Sequence, residues 1–331
     1  MANGQPRVAI PGPLGFGGAP LGDMFARTDN PTAYRTLEAA WDSGVRYFDT
    51  APHYGAGLSE QRFGSFLATK PRDEYVLSTK VGRVLEPAPA GPEAMPPFVH
   101  GLWFRRRLDY SGDGAKRALE DSLQRLGVGR IDYVFIHDLA EDALGPEWTE
   151  HFATAMKGAA QALSQLREEG VIRGWGLGVN HVEPCLRALR ESDPDVFLLA
   201  TQYHLLDQTG AEELFPACVE RGVRVVVGSP FASGLLAGGR HYAYAEADST
   251  LVARRDRMAE ISERHGVDLR TAAMQFSAAH PAVAAIIPGA KHPDRVLQNR
   301  ALMGQAVPAD LWAELKHEGL LPQDAQTPNG A

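Results

Sequence analysis

Six short apolar runs of this chain end in, or lead straight into, a polar side chain: Asp49 in RYFDT, Lys80 in VLSTK, His137 in YVFIHD, Asn180 after GLGV, Gln202 in ATQY and Ser229 in VVVGS. Tyr54 follows on the segment leaving Asp49, in DTAPHYGAG. A tyrosine serves as general acid or base only when its pKa of about 10 is drawn toward the working pH. A neighbouring ammonium such as Lys80 does this by favouring the phenolate. Asp49 could hold that ammonium in place and charged, and His137 could hydrogen-bond and orient a substrate oxygen. Singly, each residue has an ordinary explanation: a turn cap, a solvated lysine, a satisfied core histidine. Polar ends on six successive strands point instead to one shared site, in which Asp49, Tyr54, Lys80 and His137 make a coherent proton-transfer set.

The elements that must carry these residues alternate regularly. Apolar runs at 14–17, 46–50, 75–80, 131–137, 174–179, 197–203, 224–229 and 284–288 are short and rich in Val, Ile, Tyr and Phe, as buried parallel strands are. Between them lie helical segments, among them 59–70, 113–126, 154–169, 183–191, 210–220 and 251–265. Asn30 followed by Pro31 reads as an N-cap and first helical position, and Gly44, Gly127 and Gly170 read as helix stops. Regular alternation implies parallel strands joined by right-handed crossovers. Eight such units in 331 residues favour an α/β (β/α)8 TIM barrel, one domain over 1–331, with its chemistry at the C-terminal strand ends.

Three segments interrupt the rhythm. Residues 83–112 form a loop dense in proline and carrying Phe98, Trp103 and Phe104, read as a lid over the substrate. Residues 240–249 add His241, Tyr242 and Tyr244 as a second wall, and 322–331 read as a frayed tail. Phe25, Trp103 and Phe104 are the candidate apolar substrate contacts, beside Tyr54 and His137.

Composition narrows the function. With 33 Lys and Arg against 41 Asp and Glu, the net charge of −8 disfavours nucleic acid or an anionic membrane as partner. The two cysteines, Cys185 and Cys218, suggest neither a disulfide framework nor a zinc site. No apolar stretch is long enough to span a bilayer, and the polar start at 1–7 lacks a signal region, so the cytoplasm is expected. Metal-dependent hydrolysis would need clustered His and carboxylate ligands, and no metal is expected. Retaining glycosidases need paired carboxylates, whereas after Asp138 the strand ends turn to Asn, Gln, Ser and Gly. GFGG at 15–18 lacks the spacing of a Rossmann fingerprint.

These residues carry a family resemblance over nearly the whole chain. GVRYFDTAPHYG (44–55) with Glu60 and Gly64, STK (78–80), RIDYVFIHD (130–138) and IIPGAKHPDRVLQN (286–299) resemble the signatures of the aldo-keto reductases. LGFGGAPLG (14–22), FRRRLDYS (104–111) and IHDL (136–139) resemble a bacterial branch with D-threo-aldose (L-fucose) 1-dehydrogenases and pyridoxal 4-dehydrogenases.

The resemblance implies a catalytic tetrad of Asp49, Tyr54, Lys80 and His137 and a nicotinamide cofactor. It implies that Gly17, Gly18 and Asp49 lie beside that cofactor, and that Asn180 and Gln202 hold the carboxamide. His181 and Gly228 depart from the family's asparagine and stacking tyrosine. SPFASGL (229–235) resembles the pyrophosphate loop, with Ser229, Phe231, Ser233, Gly234 and Leu235 as contacts. Lys291 and Arg295 fall where a 2′-phosphate is met, Gln298 and Asn299 near adenine, while Gly289 replaces a family lysine. The cofactor is thus NADP or NAD, leaning to NADP. The implied activity is hydride transfer at an aldehyde, ketone or sugar hemiacetal carbon of a small molecule, with the oligomeric state open. Its rivals are a broad NADPH-dependent carbonyl reductase and a non-catalytic cofactor-sensing protein on the same barrel.

Overall fold

The computed structural model describes residues 8–243 and 245–328. Eight parallel strands pair in chain order: β1 Phe16–Gly17, β2 Tyr47–Asp49, β3 Val76–Val81, β4 Tyr133–His137, β5 Gly174–Val179, β6 Val196–Leu199, β7 Arg224–Gly228 and β8 Val283–Ile287. The sheet curls until its first and last strands meet. Leu14 bridges Ile286 and Gly17 bridges Gly289, and the Gly15 N–H donates to the Ile286 carbonyl at 2.8 Å. Glycine permits this approach, because a Cβ on Gly17 would stand 2.6 Å from the Ile287 carbonyl oxygen. The result is a (β/α)8 TIM barrel.

The two-residue period of a strand decides what faces the barrel's interior. Tyr47, Val76, Tyr133, Phe135, Val196, Leu198, Val226, Ala285 and Ile287 form one buried cluster, with Val8 at one end. The residues between them, such as Phe48, Leu77, Val134, Ile136, Phe197, Val225 and Ile286, belong to the larger core against the helices. Two steps beyond Tyr47 is Asp49, four beyond Val76 is Lys80, and two beyond Phe135 is His137. Parity therefore turns all three inward where the apolar plug ends. Register staggers them, since Asp49 pairs with Ser78, two residues short of Lys80, and Lys80 pairs with Phe135, two short of His137.

Several local expectations are revised. Asp29, not Asn30, caps the helix Asn30–Asp42, its Oδ1 accepting the Thr32 N–H at 2.7 Å. The helix expected over 154–169 is two helices, Trp148–Lys157 and Ala159–Glu168, broken at Gly158. A Cβ there would lie 2.9 Å from the Tyr110 carbonyl oxygen, so close packing sets the break. The sixth strand stops at Leu199, and Thr201 turns at φ 68°, leaving Gln202 beyond the strand.

The expected loop at 83–112 is largely folded. Arg83–Pro87 and Phe104–Leu108 form an antiparallel hairpin. Met95 and Phe98 pack with Ala56 and Leu85, and Met24, Tyr54 and Phe104 lie against that cluster. His241–Tyr242 and Ala245–Glu246 pair as a second small hairpin, and Tyr244 lies outside the described residues. In the tail, the Ala325 N–H donates to the Pro322 carbonyl at 3.2 Å and Ala325 packs on the core. Residues 329–331 lie outside the described residues.

Candidate active site

At the C-terminal mouth of the barrel, Lys80 Nζ donates to Asp49 Oδ2 at 2.7 Å and to the Thr50 carbonyl at 2.9 Å. Ser78 Oγ donates to Asp49 Oδ1 at 2.7 Å, so both carboxylate oxygens are engaged. Burial pushes the Asp49 carboxyl above its ordinary value, and the Lys80 charge and these hydrogen bonds oppose that rise. Lys80 Nζ also sits 4.8 Å from the centroid of the Tyr54 ring. On the other side Tyr54 meets His137 edge to face, with ring centroids 5.8 Å apart. The structure thus brings Asp49, Tyr54, Lys80 and His137 together.

His137 is buried, and its own carbonyl accepts the Tyr110 hydroxyl at 3.0 Å. Burial first, then the charges of Arg83 and Lys80, hold its pKa well below the ordinary histidine value. It is a neutral imidazole, able to hydrogen-bond a substrate oxygen without carrying charge.

A cavity of about 230 Å³ opens beside this set. Met24, Pro97 and Phe98 form an apolar side, while His53, Asp138, Asp142 and Asn180 supply polar groups. Arg83 pairs with Asp138 at 2.9 Å. Asn180 Nδ2 donates to Asp142 Oδ2 at 2.7 Å, which places Asn180 on this wall rather than along the groove described next. Sequence reasoning missed His53 and Asp142. His53 had a signal in standing beside Tyr54; Asp142 lies on the short helix Glu141–Leu144, which has no periodic pattern to mark it.

A longer groove of about 460 Å³ runs from Asp49 and Tyr54 to Lys291, Arg295 and Asn299. Gly17, Gly18, Phe25, Ser229, Phe231, Ser233, Gly234 and Gly289 also line it. Its floor needs glycine: a Cβ on Gly289 would meet Pro20 at 2.6 Å, and one on Gly18 the Asp49 carbonyl oxygen at 2.7 Å. Ser229 and Ser233 turn at φ 52° and 56°, and Gly234 at 105°, the kind of turn that aims backbone N–H groups at an anion. Arg270 and His292, absent from the sequence reading, join Lys291 and Arg295 at the far end. A groove with a proton-transfer set at one end, a glycine floor and a cationic far end fits a dinucleotide.

Other sequence candidates fall elsewhere. Gln202 Oε1 accepts the Val182 N–H at 2.7 Å, opening the helix Val182–Glu191 instead of lining the groove. Leu235 is buried behind the groove, and Gln298 accepts from Arg295 Nη1 at 2.9 Å. Trp103 is 63% exposed and lines neither cavity. Phe104 packs in the cluster behind Tyr54, whereas Phe25 lines the groove and stacks on His241 at 5.2 Å.

Barrel, mouth and groove define an oxidoreductase of the TIM-barrel class that works on a small carbonyl compound with a nicotinamide cofactor. The chain belongs to the aldo/keto reductase family, whose profile matches residues 13–317. It is 40% identical to a D-threo-aldose 1-dehydrogenase of a Pseudomonas species, covering 95% of this chain and 96% of that one. It is also 40% identical to a pyridoxal 4-dehydrogenase of Microbacterium luteolum, covering 93% and 94%. An aldo-keto reductase of Bacillus halodurans, solved in its holo form, superimposes with a TM-score of 0.71 at 28% identity, covering 92% of this chain and 91% of that one. The chain is an NAD(P)-dependent carbonyl oxidoreductase. No helix among the described residues is long and apolar enough to cross a membrane.

Proposed function

We propose that the enzyme oxidises the hemiacetal carbon of an aldose, and reduces the matching carbonyl in the reverse direction. The observation that carries this reading is the polar wall of His53, Asp138, Asp142 and Asn180 directly beside Tyr54 and His137. Asp138 is met by Arg83 and Asp142 by Asn180, yet a plain aldehyde or aromatic ketone would leave the remaining hydrogen-bonding positions of this wall desolvated and unmet. Vicinal hydroxyls satisfy them. The D-threo-aldose 1-dehydrogenase relative supports the same substrate class.

A bound nicotinamide dinucleotide supplies the hydride acceptor or donor. Gly17, Gly18, the 229–234 turn, Gly289, Lys291, Arg295 and Asn299 are placed to hold it. Tyr54 takes the proton of the hydroxyl at the reacting carbon during oxidation, leaving a lactone, and returns a proton in reduction. Lys80, fixed by Asp49, favours the phenolate that accepts that proton. His137 orients the same oxygen. The four cationic or imidazole groups at the far end favour NADP over NAD. The buried free thiols Cys185 and Cys218 suit a reducing compartment, and we place the enzyme in the cytoplasm.

The test follows the near-ultraviolet absorbance of reduced nicotinamide with L-fucose, D-arabinose, pyridoxal and simple aldehydes, in wild type and Tyr54→Phe. Aldose-dependent reduction of the cofactor, lost in the variant, supports the reading. Turnover of simple carbonyls with NADPH alone would replace it by a broad carbonyl reductase. Cofactor binding without any turnover would point to the non-catalytic alternative.

A further inference from the structure

Arg106 Nη1 stands 2.9 Å from His53 Nδ1. A guanidinium has only N–H donors and stays protonated, so it must be the donor of this hydrogen bond. His53 Nδ1 is then the bare, accepting nitrogen, and the ring is neutral with its proton on Nε2. No other protonation state of the imidazole allows the contact.

The surroundings place that ring. His53 meets Phe98 edge to face at 5.3 Å and His137 at 5.6 Å, and it lines the small cavity together with Tyr54, Asp138 and Asp142. With Nδ1 taken by Arg106, Nε2 is the ring nitrogen left to meet a ligand there. We propose that His53 is a substrate-binding residue, a hydrogen-bond donor through Nε2 to a hydroxyl neighbouring the reacting carbon, with Arg106 as the positioning residue that sets its tautomer. This rests on the aldose reading of the cavity and names the group that recognises the vicinal hydroxyl.

Charge and burial support the geometry. Burial, and then Arg83, Arg106 and Lys80, hold the His53 imidazole well below its ordinary pKa. The partners divide by type: His53 and His137 can each donate, while Asp138 and Asp142 accept. A sugar hydroxyl, both donor and acceptor, suits a wall of this kind, whereas a lone carbonyl uses only the donors. Arg106 is itself held by Glu93, which accepts its backbone N–H at 3.1 Å and its Nε at 3.3 Å. Arg106 lies on the second strand of the 83–108 hairpin and Glu93 on the connection between its strands, so the fold of that hairpin sets the tautomer inside the site.

The test is side-chain ¹⁵N NMR of histidine-labelled holoenzyme, paired with kinetics. In wild type near neutral pH, His53 is expected to show a bare Nδ1 and a protonated Nε2. Arg106→Met is expected to give mixed tautomers and a ring that titrates at higher pH. His53→Phe should raise KM for an aldose about five- to tenfold, the worth of one neutral hydrogen bond, with a smaller effect on kcat. The loss should be smaller for an aldehyde lacking the neighbouring hydroxyl, and His53→Gln should recover part of it. A proton on Nδ1, or an imidazolium at neutral pH, would overturn the assignment whatever the substrate. Equal losses on both substrates would overturn the hydroxyl contact. Failure of the aldose reading would look different: wild type inert toward aldoses, with the His53 tautomer as stated.

Discussion

Lys80 Nζ lies 2.7 Å from Asp49 Oδ2, and both side chains are almost wholly buried where the barrel's apolar plug ends. Such a pair is stable only while both members are present. Lys80→Met leaves the carboxylate buried without its cation and is expected to cost about 3–5 kcal/mol. The double variant Asp49→Asn/Lys80→Met should regain part of that stability while staying as inactive as the single. Thermal unfolding of the three proteins checks this. A double variant no more stable than Lys80→Met would show that the lone carboxylate is not the source of the loss.

His137 is held neutral by burial and by the charges of Arg83 and Lys80. Its protonation therefore lies well below the ordinary histidine range. The profile of kcat/KM is expected to show no acid limb near pH ~6.5, where an unperturbed histidine would titrate. His137→Gln should lower kcat/KM by about tenfold or more without adding or removing a limb there. A limb near that pH in wild type, abolished in the variant, would show that the imidazole titrates in the working range.

The same parity that turns Lys80 inward explains what could be read in the chain. Asp49, Lys80 and His137 end apolar runs, and a strand's two-residue period carries each to the interior, so they were visible from spacing alone. Tyr54 was visible from its place just beyond Asp49. The hairpin at 83–108 was not, because its second strand, FRRRL, is largely solvent-facing and shows no apolar alternation. Arg106 and His53 are far apart in sequence and meet only through that hairpin. Trp103 looked like a substrate wall because it is large and apolar, yet the hairpin turns it outward. Gln202 was placed at a strand end, and the early stop of that strand gave it to a helix terminus instead.

His204 offers a test of the core. It is buried, its Nδ1 accepts the Leu206 N–H at 3.2 Å, and burial drives its pKa down to about 4. A histidine with a lowered folded-state pKa takes up its proton more readily in the unfolded chain. Its contribution is therefore complete above about pH 6.5 and is lost as the pH falls toward 4. The loss approaches ~3 kcal/mol at the low end. His53 and His137 act in the same direction, while Asp49, Asp138 and Asp195, whose pKa values are raised, oppose it by protonating first in the folded state. The clean measurement is the difference in denaturant stability between wild type and His204→Asn across this range. The gap should shift in favour of the variant as the pH falls; parallel curves would remove His204 as a cause.

The far end of the groove carries Lys291, Arg295, Arg270 and His292, and Asp49 at the opposite end is its one lining carboxylate among the described residues. Two of the cations already have partners: Lys291 Nζ donates to the Ala26 carbonyl at 3.1 Å, and Arg270 pairs with Asp268 on the helix where both begin. Arg295 is tied only to the neutral Gln298 side chain among the described contacts, so a phosphate meets less competition there. Arg295→Ala should weaken NADP binding about tenfold to a hundredfold, the worth of a charge-assisted hydrogen bond, and NAD binding far less. Raising the ionic strength should erode the NADP preference of the wild type more than that of the variant, because screening acts on the charge that was removed. Titration of protein fluorescence with each cofactor reads both effects. Equal weakening toward NAD and NADP would assign Arg295 to the adenine or the fold of the groove and leave the 2′-phosphate to Lys291.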